Sequence, residues 1–344
     1  MRILLCGGGT AGHVTPNLAI AEKMRDCRLF YVGGVGMERD IVAPYVKSGV
    51  IEKFFALNAP KLKRKFAWSN FALPFALAKS VAQSKKILKE VMPDVVFSKG
   101  GYVGLPVVIA CRALEVPCVI HESDVTAGLA NRISAKFATE FVSAFPIKNA
   151  RRVGAIVRES AIGGDKRKGL AVMGFDGKKP ILVVTGGSLG AQALNEAIAG
   201  CPSVREKFDI FVICGKGKRI PNDEIRQAEF VQNVGDLFAA ADLCLTRGGS
   251  NALTELTLAG VPFVAVPLKK ASRGEQVKNA QYFEKLGCGI ALDESNLPAE
   301  LPTKLDYLFA NAKQIQEKQK QAKSLLWGTD KVVEILRKYD RKIR

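Results

Sequence analysis

Apolar residues in this chain fall into short unbroken runs, separated by stretches where they recur every three or four positions. Ile3-Leu4-Leu5-Cys6, Ile181-Leu182-Val183-Val184 and Leu243-Cys244-Leu245 show no polar alternation, which is the pattern of strands buried on both faces. In the first half the pattern predicts strands at 2–6, 28–32, 94–97, 117–120 and 140–143. Helices are predicted there at 15–25, 37–48, 70–91, 105–114 and 127–136. The second half repeats the alternation, with strands at 181–185, 209–213, 228–231, 242–246 and 263–266. Its helices are predicted at 191–199, 235–240, 250–259, 274–286 and 303–325. From Lys331 to Tyr339 the chain is amphipathic, with Val332, Val333, Ile335 and Leu336 apolar. Asp165-Lys166-Arg167-Lys168 fits neither period and reads as surface loop. Strands and helices alternating in this way predict an α/β protein built on doubly wound parallel sheets.

Each half opens on an apolar strand that runs into glycine. Ile3 to Cys6 leads to Gly7-Gly8-Gly9-Thr10-Ala11-Gly12-His13, and Ile181 to Thr185 leads to Gly186-Gly187-Ser188-Leu189-Gly190. A strand, a glycine turn and a helix aim backbone N–H groups and a helix N-terminus at one point, an arrangement that holds phosphate. Taken alone, either turn is equally a strand-to-helix connection. Together they predict two similar domains, as does a length of 344 residues, which exceeds one ordinary core. The boundaries are placed at 1–157, 158–325 and a helical tail 326–344 that packs back on the N-terminal domain, with Val153 to Arg158 as the crossing.

Composition narrows the classes. At 48% hydrophobic and 24% charged residues the chain is globular. The apolar start is too short for a signal peptide, and no stretch is long and apolar enough for a membrane span. The eight cysteines are scattered with no Cys-x-x-Cys pair, so buried reduced thiols in a reducing compartment, the cytoplasm, are expected. A net charge of +18 calls for an anionic partner: nucleic acid, an acidic membrane surface or a phosphorylated substrate. From Lys53 to Lys89 there is no acidic residue before Glu90, and Lys61, Lys63, Arg64, Lys65, Lys79, Lys85 and Lys86 interleave with Phe54, Phe55, Leu57, Phe66, Trp68, Phe71, Leu73, Phe75 and Leu77. Such a mixture suits an interfacial membrane segment; a solvated basic helix with a core-facing stripe has the same composition.

A third glycine turn follows the strand at 242–246. Arg247-Gly248-Gly249-Ser250-Asn251-Ala252-Leu253-Thr254-Glu255 offers first-turn amides to a phosphate, with Glu255 placed to accept from ribose hydroxyls. The alternative is a helix capped by Ser250. Further on, Gln276-Val277-Lys278-Asn279-Ala280 begins a helix after another buried strand, a place for sugar contacts.

Gly8-Gly9-Thr10-Ala11-Gly12-His13-Val14-Thr15-Pro16, His121-Glu122-Ser123-Asp124, Gly186 to Ala191 and the region from Gly248 to Gln276 resemble, in order and over nearly the whole chain, the MurG family of glycosyltransferases. The resemblance implies the GT-B fold, two Rossmann-like domains with an interdomain cleft, and no cofactor or metal. It implies inverting transfer of N-acetylglucosamine from UDP-N-acetylglucosamine to the C4 hydroxyl of the muramoyl sugar of lipid I (undecaprenyl-pyrophosphoryl-MurNAc-pentapeptide). The product is lipid II of peptidoglycan, which ties the enzyme to cell-wall proteins, cell shape and cell division. It further implies peripheral attachment to the cytoplasmic face of the inner membrane. Carried across by motif, Thr10, Ala11 and Gly12 lie near the transferred sugar and diphosphate, with Arg158 and Ser188 also on the donor. Val231 reads uracil through its backbone, Ser250, Asn251, Ala252, Leu253, Thr254 and Glu255 form the phosphate and ribose site, and Gln276 contacts the sugar. Two positions depart from the family pattern. Ala11 stands where glycine is usual, which requires a negative φ there, and Asp124 stands where asparagine is common.

The chain has two histidines. His13, at the tip of the first glycine loop, is the candidate general base for the acceptor hydroxyl, against the alternative that it ties the loop to a neighbouring carbonyl. His121 reads as structural. With no Asp-x-Asp pair, the diphosphate charge is left to amides and Arg158. Two other classes stay open. One is a UDP-N-acetylglucosamine 2-epimerase, and the other a basic nucleic-acid-binding protein, although no nucleic-acid module is recognisable.

Overall fold

Two parallel sheets, each with its strand order reversing at the first strand, organise the chain. The computed structural model describes residues 1–60, 73–269 and 274–341. Lys61, Lys63, Arg64, Lys65, Phe66, Trp68 and Phe71 lie outside the described residues, as do positions 270–273.

The first unit comprises Met1–Arg158 and Gly328–Arg344. In chain order it contains β1 (Arg2–Cys6), α1 (Ala11–Lys23), β2 (Arg28–Gly33), α2 (Met37–Lys47), β3 (Lys53–Ala56) and α3 (Leu73–Val91). These are followed by β4 (Val95–Ser98), α4 (Gly101–Ala113), β5 (Cys118–Glu122), α5 (Leu129–Ser134), β6 (Glu140–Ser143) and β7 (Arg151–Arg152). The strand order is β3-β2-β1-β4-β5-β6-β7, and every pairing is parallel. Ile3, Leu5, Tyr31, Val95 and Phe97 fill one face of the sheet, while Leu4, Val32, Val96 and Ile120 fill the other.

The second unit is Glu159–Trp327. It runs α6 (Glu159–Ile162), α7 (Lys166–Met173), β8 (Ile181–Thr185), α8 (Gln192–Ala199), α9 (Pro202–Lys207), β9 (Asp209–Ile213), β10 (Arg226–Ala228) and α10 (Val234–Ala240). Then come β11 (Leu243–Arg247), α11 (Ser250–Ala259), β12 (Phe263–Val266), α12 (Glu275–Lys285), β13 (Ile290–Ala291), α13 (Leu297–Ala310) and α14 (Ala312–Leu326). Its sheet, also wholly parallel, is ordered β10-β9-β8-β11-β12-β13. The last helix, α15 (Thr329–Arg337), belongs to the first unit, where Val332, Ile335 and Leu336 join the core beneath β1.

Several sequence expectations are corrected. The stretch read as loop at 165–168 is the start of α7, where the Asp165 carboxylate accepts from Arg167 N and Lys168 N and so caps the helix. β3 escaped the reading: its Phe55 and Leu57 just beyond it are core, and Phe54 stacks on Tyr31 at 5.8 Å. The strand placed at 228–231 is β10, which ends before Val231. The helix placed at 303–325 is two helices that meet at Asn311. Arg158, assigned to the second domain, is the last residue of the first unit before the chain leaves it.

Candidate active site

In a doubly wound sheet the crevice for a ligand opens at the carboxyl ends of the strands, where the order reverses. In the first unit that point lies between β1 and β4, and in the second between β8 and β11. The glycine turns fall there because they follow those strands.

In the first unit, Gly7 is required by space: a Cβ would lie 2.4 Å from His13 O. The turn is fixed by a buried chain in which Asn17 Nδ2 donates to His13 O and to Tyr31 OH, and Tyr31 OH donates to Gly7 O. Gly9 has φ +90°, and a side chain there would meet the Tyr102 ring. Its N–H donates at 2.7 Å to Glu38 Oε1, a carboxylate 1% exposed. One amide of the expected phosphate cradle is therefore already satisfied by a carboxylate. Ala11 is not among the residues of positive φ, so it fits the helix start without strain. Thr10 is exposed at the N-cap of α1, and its hydroxyl meets His13 Nδ1 at 2.9 Å instead of capping the helix. Gly12 is half-buried beside it. The half-buried His13 is thus oriented at Nδ1 by Thr10. Burial first, then Lys99, pushes its pKa down to about 4, opposed by Asp124 and Glu38. The imidazole is neutral at pH 7 and can accept a proton.

Beyond β5, Glu122 organises the turn that carries Asp124. Its Oε1 accepts from Ser123 N and Asp124 N, and its Oε2 accepts from Gly128 N and Asn131 Nδ2. His121 is buried with both ring nitrogens engaged, by Gly154 O and Lys99 Nζ. The structural reading of His121 agrees with this. Lys99 was missed; its one signal in the sequence is a lysine ending an apolar strand just before two glycines. Arg158 pairs with Glu22 at 3.1 Å, and Tyr45 OH donates to the same carboxylate.

In the second unit, Ser188 lies exposed on the turn after β8. Gly190 has φ +66°, and a Cβ there would lie 2.1 Å from Cys214 O, so the turn abuts the one after β9. Lys218 Nζ clamps the pair by donating to Leu189 O and Gly190 O. After β11, the N-cap of α11 is Gly249 and not Ser250. Having no side chain, Gly249 leaves the helix start without a side-chain cap and with its dipole toward a ligand. Ser250 is buried, and Leu253 and Thr254 are fully so; the Thr254 hydroxyl donates to Ser250 O. Leu253 and Thr254 can thus serve only through the backbone, whereas Asn251, Ala252 and Glu255 are half-buried at the helix start. The α12 start packs on this turn: a Cβ on Gly248 would lie 2.5 Å from Gln276 O, and Asn279 Nδ2 donates to Gly248 O. Gln276 Oε1 accepts from Leu268 N, so its NH₂ is the group offered to a ligand. Val231 lies between β10 and α10, beside a groove of about 410 Å³ lined by Val172, Phe211, Phe230 and Asn233. Arg247, unnoticed as a buried cation, pairs with Glu294 and donates to Val266 O. Among the described residues no cluster of His, Cys, Asp and Glu could hold a metal ion.

The N-terminal domain of glycosyltransferase family 28 matches residues 3–143, and its C-terminal domain matches residues 181–332. The chain belongs to glycosyltransferase family 28. A Clostridium botulinum (strain Langeland) relative is 39% identical over 98% of this chain and 99% of its own. A Geobacillus thermodenitrificans relative is 40% identical over 90% and 91%. Both are named UDP-N-acetylglucosamine--N-acetylmuramyl-(pentapeptide) pyrophosphoryl-undecaprenol N-acetylglucosamine transferase. The crystal structure of Acinetobacter baumannii MurG is similar to this glycosyltransferase at TM-score 0.75 and 26% identity, covering 98% of this chain and 99% of that one. A Neisseria meningitidis UDP-GlcNAc 2-epimerase, at TM-score 0.65 and 11% identity, shares the fold alone. The fold is GT-B, and the chain is a glycosyltransferase.

Proposed function

We propose that this glycosyltransferase moves N-acetylglucosamine, with inversion, from UDP-N-acetylglucosamine to the C4 hydroxyl of the muramoyl sugar of lipid I, forming lipid II for peptidoglycan. The observation that carries this reading is the end-to-end match, at 39% identity, to proteins named for that transfer. The second unit takes the donor. The start of α11, at Ser250 to Ala252, meets the diphosphate with backbone amides, which stabilise charge developing on the leaving UDP. Leu253 and Thr254 contribute backbone only, Glu255 accepts from ribose hydroxyls, the Gln276 NH₂ donates to the sugar, and Val231 and Ser188 complete the nucleotide site. Thr10, Ala11, Gly12, Asp124 and Arg158 act from the first unit, where a diphosphate would compete with Glu22 for Arg158. His13 takes the proton of the C4 hydroxyl as that oxygen bonds the anomeric carbon and UDP leaves.

The acceptor's polyprenyl anchor requires work at a membrane surface, and α3 supports this. The helix buries Ser80 and Ser84 along its middle, while Phe75 near its start is 81% exposed. Pro74, Leu77, Ala78, Val81 and Ile109 line a shallow apolar groove of about 400 Å³, with Lys85 at its edge. No helix among the described residues is long and apolar enough to cross a membrane. On this reading the enzyme works peripherally on the cytoplasmic face of the inner membrane, beside other cell-wall proteins. The decisive assay offers labelled UDP-sugars with a short-chain lipid I analogue. Transfer from UDP-N-acetylglucosamine alone is expected; epimerised donor without transfer would replace this reading.

A further inference from the structure

Lys99 is a cation with 1% of its surface exposed, and the transfer mechanism above gives it no role. It follows β4, and Gly100 and Gly101, with φ of +83° and +75°, turn the chain from it into α4. Its Nζ lies 2.6 Å from His121 Nδ1 and within hydrogen-bond reach of Ser123 Oγ. Because Gly154 O can only accept, His121 carries its proton on Nε2 and offers Nδ1 as acceptor to the lysine. A buried cation is tolerated only where opposite charge and acceptors surround it. Here β5 supplies His121 and Glu122, the turn after it supplies Ser123 and Asp124, and α1 supplies His13. Gly101, two residues after Lys99, lies against the His13 ring, where a Cβ on it would be 3.7 Å from Nδ1 and Cε1, and Glu38 of α2 acts on the same ring.

We infer that Lys99 is a positioning residue of the acceptor-side site: its amine, held between His121 Nδ1 and Ser123 Oγ, fixes the turn bearing Asp124 and places a positive charge near the His13 imidazole. The inference rests on the reading of His13 as the base. Lys99 and Asp124 then act on His13 in opposition, the cation disfavouring a proton on the ring and the carboxylate favouring it. Desolvation brings Lys99 itself down to about 7, against the pull of Glu122 and Asp124, so its charge changes near neutrality.

The chain's two histidines make the test direct, since NMR titration of the full chain gives two ring signals, assigned by His13→Ala and His121→Asn. The wild-type His13 midpoint is expected well below the ordinary 6.5. In Lys99→Met it should rise by about one pH unit, the order of effect of a nearby charge. Lys99→Gln, which keeps a donor for His121 Nδ1, should give the same rise, and Asp124→Asn should lower the midpoint. A wild-type midpoint at or above 6.5, or one unmoved in a folded Lys99 variant, overturns the inference; the former needs no variant to fold. Transfer kinetics separate the two readings: a midpoint that moves while the acid limb of kcat/KM stays fixed would remove His13 as base and leave Lys99 as positioned.

Discussion

At the scale of single residues, the proposed chemistry turns on His13. Its neutral ring can accept a proton, but a pKa of about 4 makes it a weak base, so its contribution belongs at the lower end of the usual range. His13→Ala should lower kcat by roughly 10²–10³ while donor KM stays near wild type. Loss of donor binding in that variant would make it a loop residue only. The same depression has a consequence for stability. A group with its folded pKa lowered from 6.5 to about 4 stabilises the fold above 6.5, and that stability is lost as pH falls through about 4. Thermal unfolding across this window should show a shallower decline for His13→Ala than for wild type; parallel curves would contradict it. On the proposed reading, Glu255→Ala removes a charged acceptor for the ribose. Its expected cost of about 2 kcal/mol corresponds to a rise of tens-fold in donor KM, and an unchanged KM would reassign the residue.

At the scale of elements, the proposed function rests on the helix starts. α11 begins at a glycine cap, and β11 aims it at the switch point of its sheet. α3 shows a different balance, with its Ser80 hydroxyl bonded to Asn58 O and Ala76 O on the buried side and Phe75 outward. Its later turns bury Ile87, Leu88 and Val91 in the core, whereas the exposed Phe75 near its start gains by meeting an apolar partner surface. Phe75→Asp should therefore reduce sedimentation with anionic vesicles and leave turnover of a soluble short-chain acceptor unchanged. Equal vesicle binding by variant and wild type would remove α3 from the membrane contact.

At the scale of the whole molecule, the last helix completes the first core. α15 sets Val332, Ile335 and Leu336 under β1, Thr329 exchanges hydrogen bonds with the Val157 backbone, and Arg337 pairs with Asp26. Leu336 is fully buried, so Leu336→Ala should cost about 2–5 kcal/mol. With two units the loss should appear as an earlier unfolding of the first, leaving the second near its wild-type transition. Unfolding of both units together at the old midpoint would show that the tail is dispensable.

The strands at 2–6, 181–185 and 209–213 were legible because parallel strands buried on both faces must be continuously apolar. The glycine turns were legible because few other residues fit there, and the family motifs marked the loops that such sheets present to ligands. The edge strand β3 was not, and β10 was placed late, since an edge needs fewer apolar positions and Lys53 and Arg226 interrupt the pattern. Nor could the sequence tell that Gly9 N would be taken by Glu38, that Arg158 would rest on Glu22, or that Lys99 would be held by His121 and Ser123. Those pairings join residues far apart in the chain, and only the order in which the strands assemble brings them within hydrogen-bond or Coulomb range. The sequence by itself determined which groups were available for phosphate, sugar and proton; the tertiary structure decided which of them were already spent on one another, because a buried charge or amide takes whatever partner the fold puts beside it.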